Sequence, residues 1–111
     1  MQIVKHKDIS VHSGHDNSTV DEYYMDNKDI DVCVVHVNGR TPKEGKLVNS
    51  EYKCVCYVLS GDGEICGQKV AQGDAFNILA GDEYWFNGVF SVVMCGTPAF
   101  NPAQNKNIKE N

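Results

Sequence analysis

Between Tyr57 and Tyr84 the chain alternates short apolar stretches with glycine turns. The two telling segments are Tyr57-Val-Leu-Ser-Gly-Asp-Gly-Glu64 and Gly73-Asp-Ala-Phe-Asn-Ile-Leu-Ala-Gly-Asp-Glu-Tyr84. Glycine adopts turn conformations that strain other residues, so this pattern reads as strand, turn, strand, turn, strand. No segment carries a sustained helical period. Short strands recurring roughly every ten residues, with glycine turns between them, imply an all-β sandwich or small barrel. The same stretch is constrained by what it lacks: no histidine follows His36.

Along the chain, residues 1–12 read as a short terminal strand, with Ile3, Val4, Ile9 and Val11 as its apolar points. Residues 13–28 are polar and acidic and read as a loop closing one end of the fold. Residues 30–37, IDVCVVHV, form a strand rich in β-branched residues. Residues 51–59 form another, ended by Gly61-Asp-Gly63. Residues 64–70 and 74–79 are short strands around Gly73. Residues 83–87 and 89–95 are strands split by Asn87-Gly88. Pro98 and Pro102 oppose a further central strand, so the C-terminus is expected to be a docked, fraying tail.

The 111 residues allow one domain with a modest core. That core is placed at about 28–100, preceded by an N-terminal strand and loop at 1–27 and followed by a tail at 101–111. The net charge of −5 and a single arginine, Arg40, oppose nucleic-acid binding. No apolar run approaches the roughly 20 residues of a membrane span, and no polybasic cluster suits a membrane surface. The N-terminus lacks the apolar stretch of a signal peptide, so a cytoplasmic protein is expected. The odd number of cysteines, five, argues against a disulfide framework. Cys54-Val-Cys56 is a poor chelating spacing on a strand, and most of the cysteines read as small buried hydrophobes.

Period two separates Tyr52, Cys54, Cys56 and Val58 from Lys53, Val55, Tyr57 and Leu59. Lys53 prefers water, so the even set is assigned to the interior. Tyr84 and Phe86 share one face and Trp85 takes the other, where it is expected to pack in an intersheet or subunit contact. In 30–37 the set Ile30, Val32, Val34 and His36 is the more apolar, which directs His36 inward.

The segments YVLSGDGE and GDAFNILAG resemble the motifs of the cupin superfamily, over about residues 38–102. A closer likeness is to small single-domain cupins of undefined function. It rests on Asn38-Gly-Arg40-Thr-Pro42, Val48-Asn49, Tyr57 to Gly61, Glu83 to Gly88 and Thr97 to Gln104. The resemblance implies an antiparallel jelly-roll β-barrel. It also implies that Gly61, Gly73 and Gly81 are structural glycines. Cupin metal ligands would fall on Val48 and Ser50, or on Leu47 and Asn49 with the longer spacing, and on Cys54 and Tyr84. Every one of these positions has departed from histidine or glutamate. No metal and no other cofactor is expected. Small cupins often pair through sheet edges, so a homodimer is expected.

A catalytic metal needs several suitable donors converging on one point, and this chain's cupin positions do not supply them. His12 and His15 read as solvated loop histidines. What remains is a barrel mouth lined by Asn49, Tyr52, Cys54, Cys56, Tyr84 and Phe86, mostly apolar with a few polar handles. Arg40 offers a bidentate grip for a carboxylate or phosphate, or else stabilises a surface turn. Three functions follow. The first is metal-independent binding of a small polar or carbohydrate-like ligand. The second is an isomerase, epimerase or lyase using Tyr84 with Cys54 or His36, which requires a lowered tyrosine pKa. The third is a non-catalytic structural or regulatory subunit whose barrel is filled by side chains.

Overall fold

The structure, a computed structural model, describes residues 1–109. Its strands are β1 (Ser10–Ser13), β2 (Ser18–Glu22), β3 (Asp31–Asn38), β4 (Lys46–Asn49), β5 (Lys53–Ile65), β6 (Gln68–Ala71), β7 (Ala75–Ile78), β8 (Glu83–Tyr84), β9 (Phe86–Thr97) and β10 (Asn105–Ile108). Short 3-10 turns occupy His6–Asp8 and Pro102–Gln104. The larger sheet has the order β1-β2-β3-β9-β5-β6, with β7 also paired to β5. A smaller sheet, β10-β4-β8, lies apart from it. All strand pairs are antiparallel, giving the jelly-roll architecture that the sequence implies.

The buried core combines Cys33, Val35 and Val37 of β3, Cys54, Cys56 and Val58 of β5, and Phe90 and Val92 of β9. Leu47 and Tyr84 join it from the smaller sheet. The alternation expected in β5 is found: Tyr52, Cys54, Cys56 and Val58 are buried, while Lys53, Val55, Tyr57 and Leu59 are exposed. Tyr84 and Phe86 are also buried, on either side of a half-buried Trp85.

Two expected strand ends are in fact continuous strand. β5 passes through Gly61 and Gly63 to Ile65, with a register shift between Val58 and Ser60. β9 passes through Gly88, which pairs with Gly63. A Cβ on Gly88 would lie 2.8 Å from the Gly63 Cα, and one on Gly63 would overlap the Phe90 ring. These glycines therefore serve close strand approach and leave room for Phe90, rather than stopping the strands.

The N-terminal reading is also revised. The expected strand at 1–12 is reduced to β1 after a 3-10 turn, and the expected loop at 13–28 contains β2. β1 and β2 form a hairpin against β3. All four β1 residues are exposed, as an edge strand permits, so its apolar signal is faint. Within the expected tail, Asn105–Ile108 dock as β10 along β4. Positions 110 and 111 lie outside the described residues. Among the described residues no helix is long and apolar enough to cross a membrane.

Candidate functional site

A cavity of about 400 Å3 opens between the inner faces of the two sheets. Its size falls in the range of small-molecule sites, and its walls are mainly apolar, from Val20, Val35, Leu47, Phe86 and Met94. Polar groups enter at two levels, a floor and a rim.

The floor is made where the smaller sheet brings Leu47 opposite Tyr84. Asn49, two residues on, faces the same way and is buried. Of the two alignments for the cupin histidine pair, the longer spacing is the one that points inward: Leu47 and Asn49 are buried, and Ser50 is exposed. Asn49 Nδ2 donates to the Tyr84 hydroxyl oxygen at 3.3 Å. Asn49 Oδ1 accepts from Gln104 Nε2 at 2.9 Å and from Asn105 Nδ2 at 2.8 Å. Gln104 is fixed in turn, since its Oε1 accepts from the backbone N–H groups of Glu51 and Tyr52. His15 Nε2 donates to Asn105 Oδ1 at 2.9 Å. Asn105 Nδ2 also approaches the Tyr84 oxygen, at 3.5 Å. Both neighbours donate hydrogen bonds to the Tyr84 oxygen, so its own hydroxyl hydrogen is left to point at a ligand acceptor.

The rim comes from the β1–β2 hairpin and the start of β3. Glu22 pairs across to Cys33, and His12 to Val20, which puts all four on the inner face. His12 Nε2 stands 3.5 Å from Glu22 Oε1. His12 Nδ1 donates to the Ser13 carbonyl at 3.1 Å. With Nδ1 turned to Ser13, Nε2 faces the Glu22 carboxylate. Burial raises the Glu22 pKa above its ordinary value; His12 opposes the shift and Asp31 adds to it. Asp31 accepts from the Tyr52 hydroxyl at 2.7 Å and from the Phe100 N–H at 2.9 Å. The Tyr52 ring fits because residue 96 is glycine: a Cβ there would overlap it. Burial, and then the bond to Asp31, raise the Tyr52 pKa.

Of the site residues expected from sequence, Asn49, Tyr52, Tyr84 and Phe86 meet at this cavity. Tyr84, however, does not acquire a lowered pKa. Burial pushes it up to about 12, against the opposing effect of the Asn49 hydrogen bond. Such a phenol keeps its proton and donates; it is no general base.

His36 is not inward, and this corrects the face assignment of β3. Cys33, Val35 and Val37 are buried, and Ile30 is 61% exposed. Both sets of that strand are β-branched, so alternation gave no polar contrast to choose between them. On the outer face His36 Nε2 donates to Asp21 Oδ2 at 2.9 Å, and its Nδ1 hydrogen-bonds Ser91 Oγ at 2.7 Å. His36 lies on β3, Asp21 on β2 and Ser91 on β9, so the three side chains tie three adjacent strands together. The arrangement is a cross-strand lock.

Cys54 and Cys56 lie behind the cavity wall, 5% and 0% exposed, with their sulfurs 3.8 Å apart. The bond donated to Cys54, and then burial, push the Cys56 thiol up; receiving that bond lowers Cys54. Arg40 is likewise removed from the site. Its guanidinium lies 4.7 Å over the Trp85 ring and donates to the carbonyls of Pro42 and Gly45. Its donors stabilise the turn rather than a ligand. Trp85 therefore packs outward under Arg40.

His12, His15, Glu22, Asp31 and Asn105 were not anticipated as site residues. The available signal was a hairpin: two polar segments with Val11 and Val20 as apolar points, joined by Gly14 to Asn17. Read as a hairpin, it brings His12 and Glu22 to one face. As for metals, the cupin ligand positions offer an alkyl group, an amide, a thiol and a proton-bearing phenol. That donor set does not suit a cupin-type metal. Among the described residues no group of three or more His, Cys, Asp or Glu side chains is placed to hold one.

No family model and no curated protein matches the chain. Solved structures do. Pac13, described as a unique nucleoside dehydratase, superposes with a TM-score of 0.83 at 16% identity, over 98% of this chain and 92% of its own. The polyketide cyclase RemF from Streptomyces resistomycificus gives 0.74 at 17%, over 100% and 87%. An RmlC-like cupin from Shewanella frigidimarina gives 0.75 at 12%, over 93% and 96%. These likenesses establish the cupin fold.

Proposed function

We propose that this chain binds a small polar or carbohydrate-like ligand in the inner cavity, without a metal. The observation that carries the reading is the Tyr84 hydroxyl. It sits at the floor of a mainly apolar cavity, receives hydrogen bonds from Asn49 and Asn105, and has its own proton to give. A buried donor of this kind discriminates for a ligand acceptor, because leaving it unpaired is costly. The fold neighbour PAC13 from Streptomyces has been described with uridine, which makes uridine a rational first probe. Calorimetric titration of uridine and a panel of nucleosides and monosaccharides tests the reading. Saturable binding that weakens in Tyr84→Phe supports it; no binding across the panel, or binding indifferent to Tyr84→Phe, overturns it.

A second reading, an enzyme of the lyase or isomerase kind, is favoured by the His12–Glu22 pair on the cavity wall. A partly buried carboxylate beside an imidazole is equipped to move protons on a bound molecule. Tyr84 would then serve as hydrogen-bond donor to a developing oxyanion. The neighbours described as a dehydratase and a cyclase support an enzymatic use of this fold.

We further place the protein in the cytoplasm as a homodimer. Val55, Tyr57 and Leu59 leave exposed apolar side chains along β5 on the outer face of the larger sheet. Sedimentation velocity decides the oligomeric state: a dimer that dissociates in Tyr57→Lys is expected, and a monomeric wild type would overturn it.

A further inference from the structure

A second chamber of about 580 Å3 adjoins the first at the rim. The two share His12, Glu22, Asp31, Phe100 and Pro102, so they meet at a common waist. The waist carries His12, Glu22 and Asp31 beside Phe100 and Pro102, and beyond it lie Tyr24, Met25 and Ile30. Tyr24, Met25, Ile30 and Phe100 line the outer chamber and are 67%, 40%, 61% and 38% exposed. Exposed large apolar side chains scattered singly need no explanation, but four gathered around one opening do.

The border between the chambers is built from Phe100, Tyr52 and Asp31. Phe100 stands edge-on to Tyr52, with ring centroids 5.2 Å apart. Asp31 holds both residues, taking the Tyr52 hydroxyl and the Phe100 N–H on its two oxygens. Of these two rings it is Phe100 that lines the outer chamber, and its backbone is held by the same carboxylate that borders the inner one. An aromatic side chain held in this way favours flat rings, by offset or edge-to-face contact.

Resting on the ligand-binding reading of the inner cavity, we propose that the outer chamber is a subsite for a flat aromatic ring. The ligand class narrows accordingly. It joins a hydrogen-bond-accepting polar portion, seated on Tyr84, to an aromatic portion seated between Tyr24 and Phe100. The link between them passes the His12–Glu22–Asp31 waist.

Phenol is the probe for the outer chamber, followed by amide chemical-shift perturbation. Saturable shifts at Tyr24, Ile30, Ala99 and Phe100 are expected, with the dissociation constant raised about tenfold in Tyr24→Ala and in Phe100→Ala. Tyr24 is the safer variant for folding, being largely exposed. Tyr84→Phe is expected to leave phenol binding unchanged, which separates this subsite from the inner reading. Shifts confined to inner residues such as Leu47 and Asn49, an unchanged affinity in Tyr24→Ala, or no saturable shift would overturn the proposal. A failure of uridine and the sugar panel at Tyr84, with phenol still bound outside, would overturn the inner reading alone.

Discussion

Two neighbouring residues of β2 carry the same chemistry to opposite faces. Asp21 points outward and meets His36; Glu22 points inward and meets His12. The outer pair has the better geometry, 2.9 Å against 3.5 Å. It nevertheless borders neither chamber, and its third partner, Ser91, only ties β9 to β3. The inner pair is looser but borders both chambers, and burial raises its carboxylate pKa. A histidine–carboxylate contact is therefore no sign of function by itself. The space beside it decides.

The comparison breaks most visibly in turnover. If a substrate is found, Glu22→Gln is expected to lower its rate about 100-fold or more, the usual scale for a general acid–base group. Asp21→Asn should leave the rate within about twofold. Equal losses in the two variants would erase the distinction drawn here. Next in size is the floor: Tyr84→Phe should weaken ligand binding about tenfold, the worth of one neutral hydrogen bond near the upper end of its range. Isothermal titration measures it.

Stability sharpens the rim. Tyr52→Phe removes a buried hydrogen bond to the Asp31 carboxylate and should cost about 2 kcal/mol in chemical denaturation. An unchanged midpoint would remove Asp31 as the anchor of the border between the chambers. The smallest effect is a pH dependence. Glu22 has a folded-state pKa above its ordinary 4.5, so the folded state holds its proton more tightly than the unfolded one. The associated stability is fully present below about pH 4.5 and is lost as pH rises through the folded-state pKa. Glu22→Gln removes this loss, so its stability relative to wild type should rise across that window. A flat or opposite difference would contradict the burial argument.

Much of the barrel was legible because its strands carry contrast. Lys53 set the face of β5, and Trp85 between Tyr84 and Phe86 set that of β8 and β9. Gly61 and Gly88 were legible as special positions but not as what they do. Only the register shows that Gly63 faces Gly88 beneath the Phe90 ring. β3 was misread because valine on both faces leaves period two without a polar marker. That single slip turned His36 inward in the reading and Asp31 outward. The hairpin residues His12 and Glu22 were hidden for the opposite reason: an edge strand at a cavity rim is too polar to look like a strand. Tyr84 was found, but the direction of its pKa shift depends on burial, which no spacing rule conveys.

Tyr84 is the proton-keeping donor at the floor of the inner cavity on which ligand binding is proposed to depend. A crystal structure with the tightest-binding compound of the nucleoside and sugar panel tests this most directly. The compound is expected between the two sheets, with an acceptor atom within hydrogen-bond reach of the Tyr84 hydroxyl. A cavity closed by side chains, or a compound bound away from Tyr84, would contradict it.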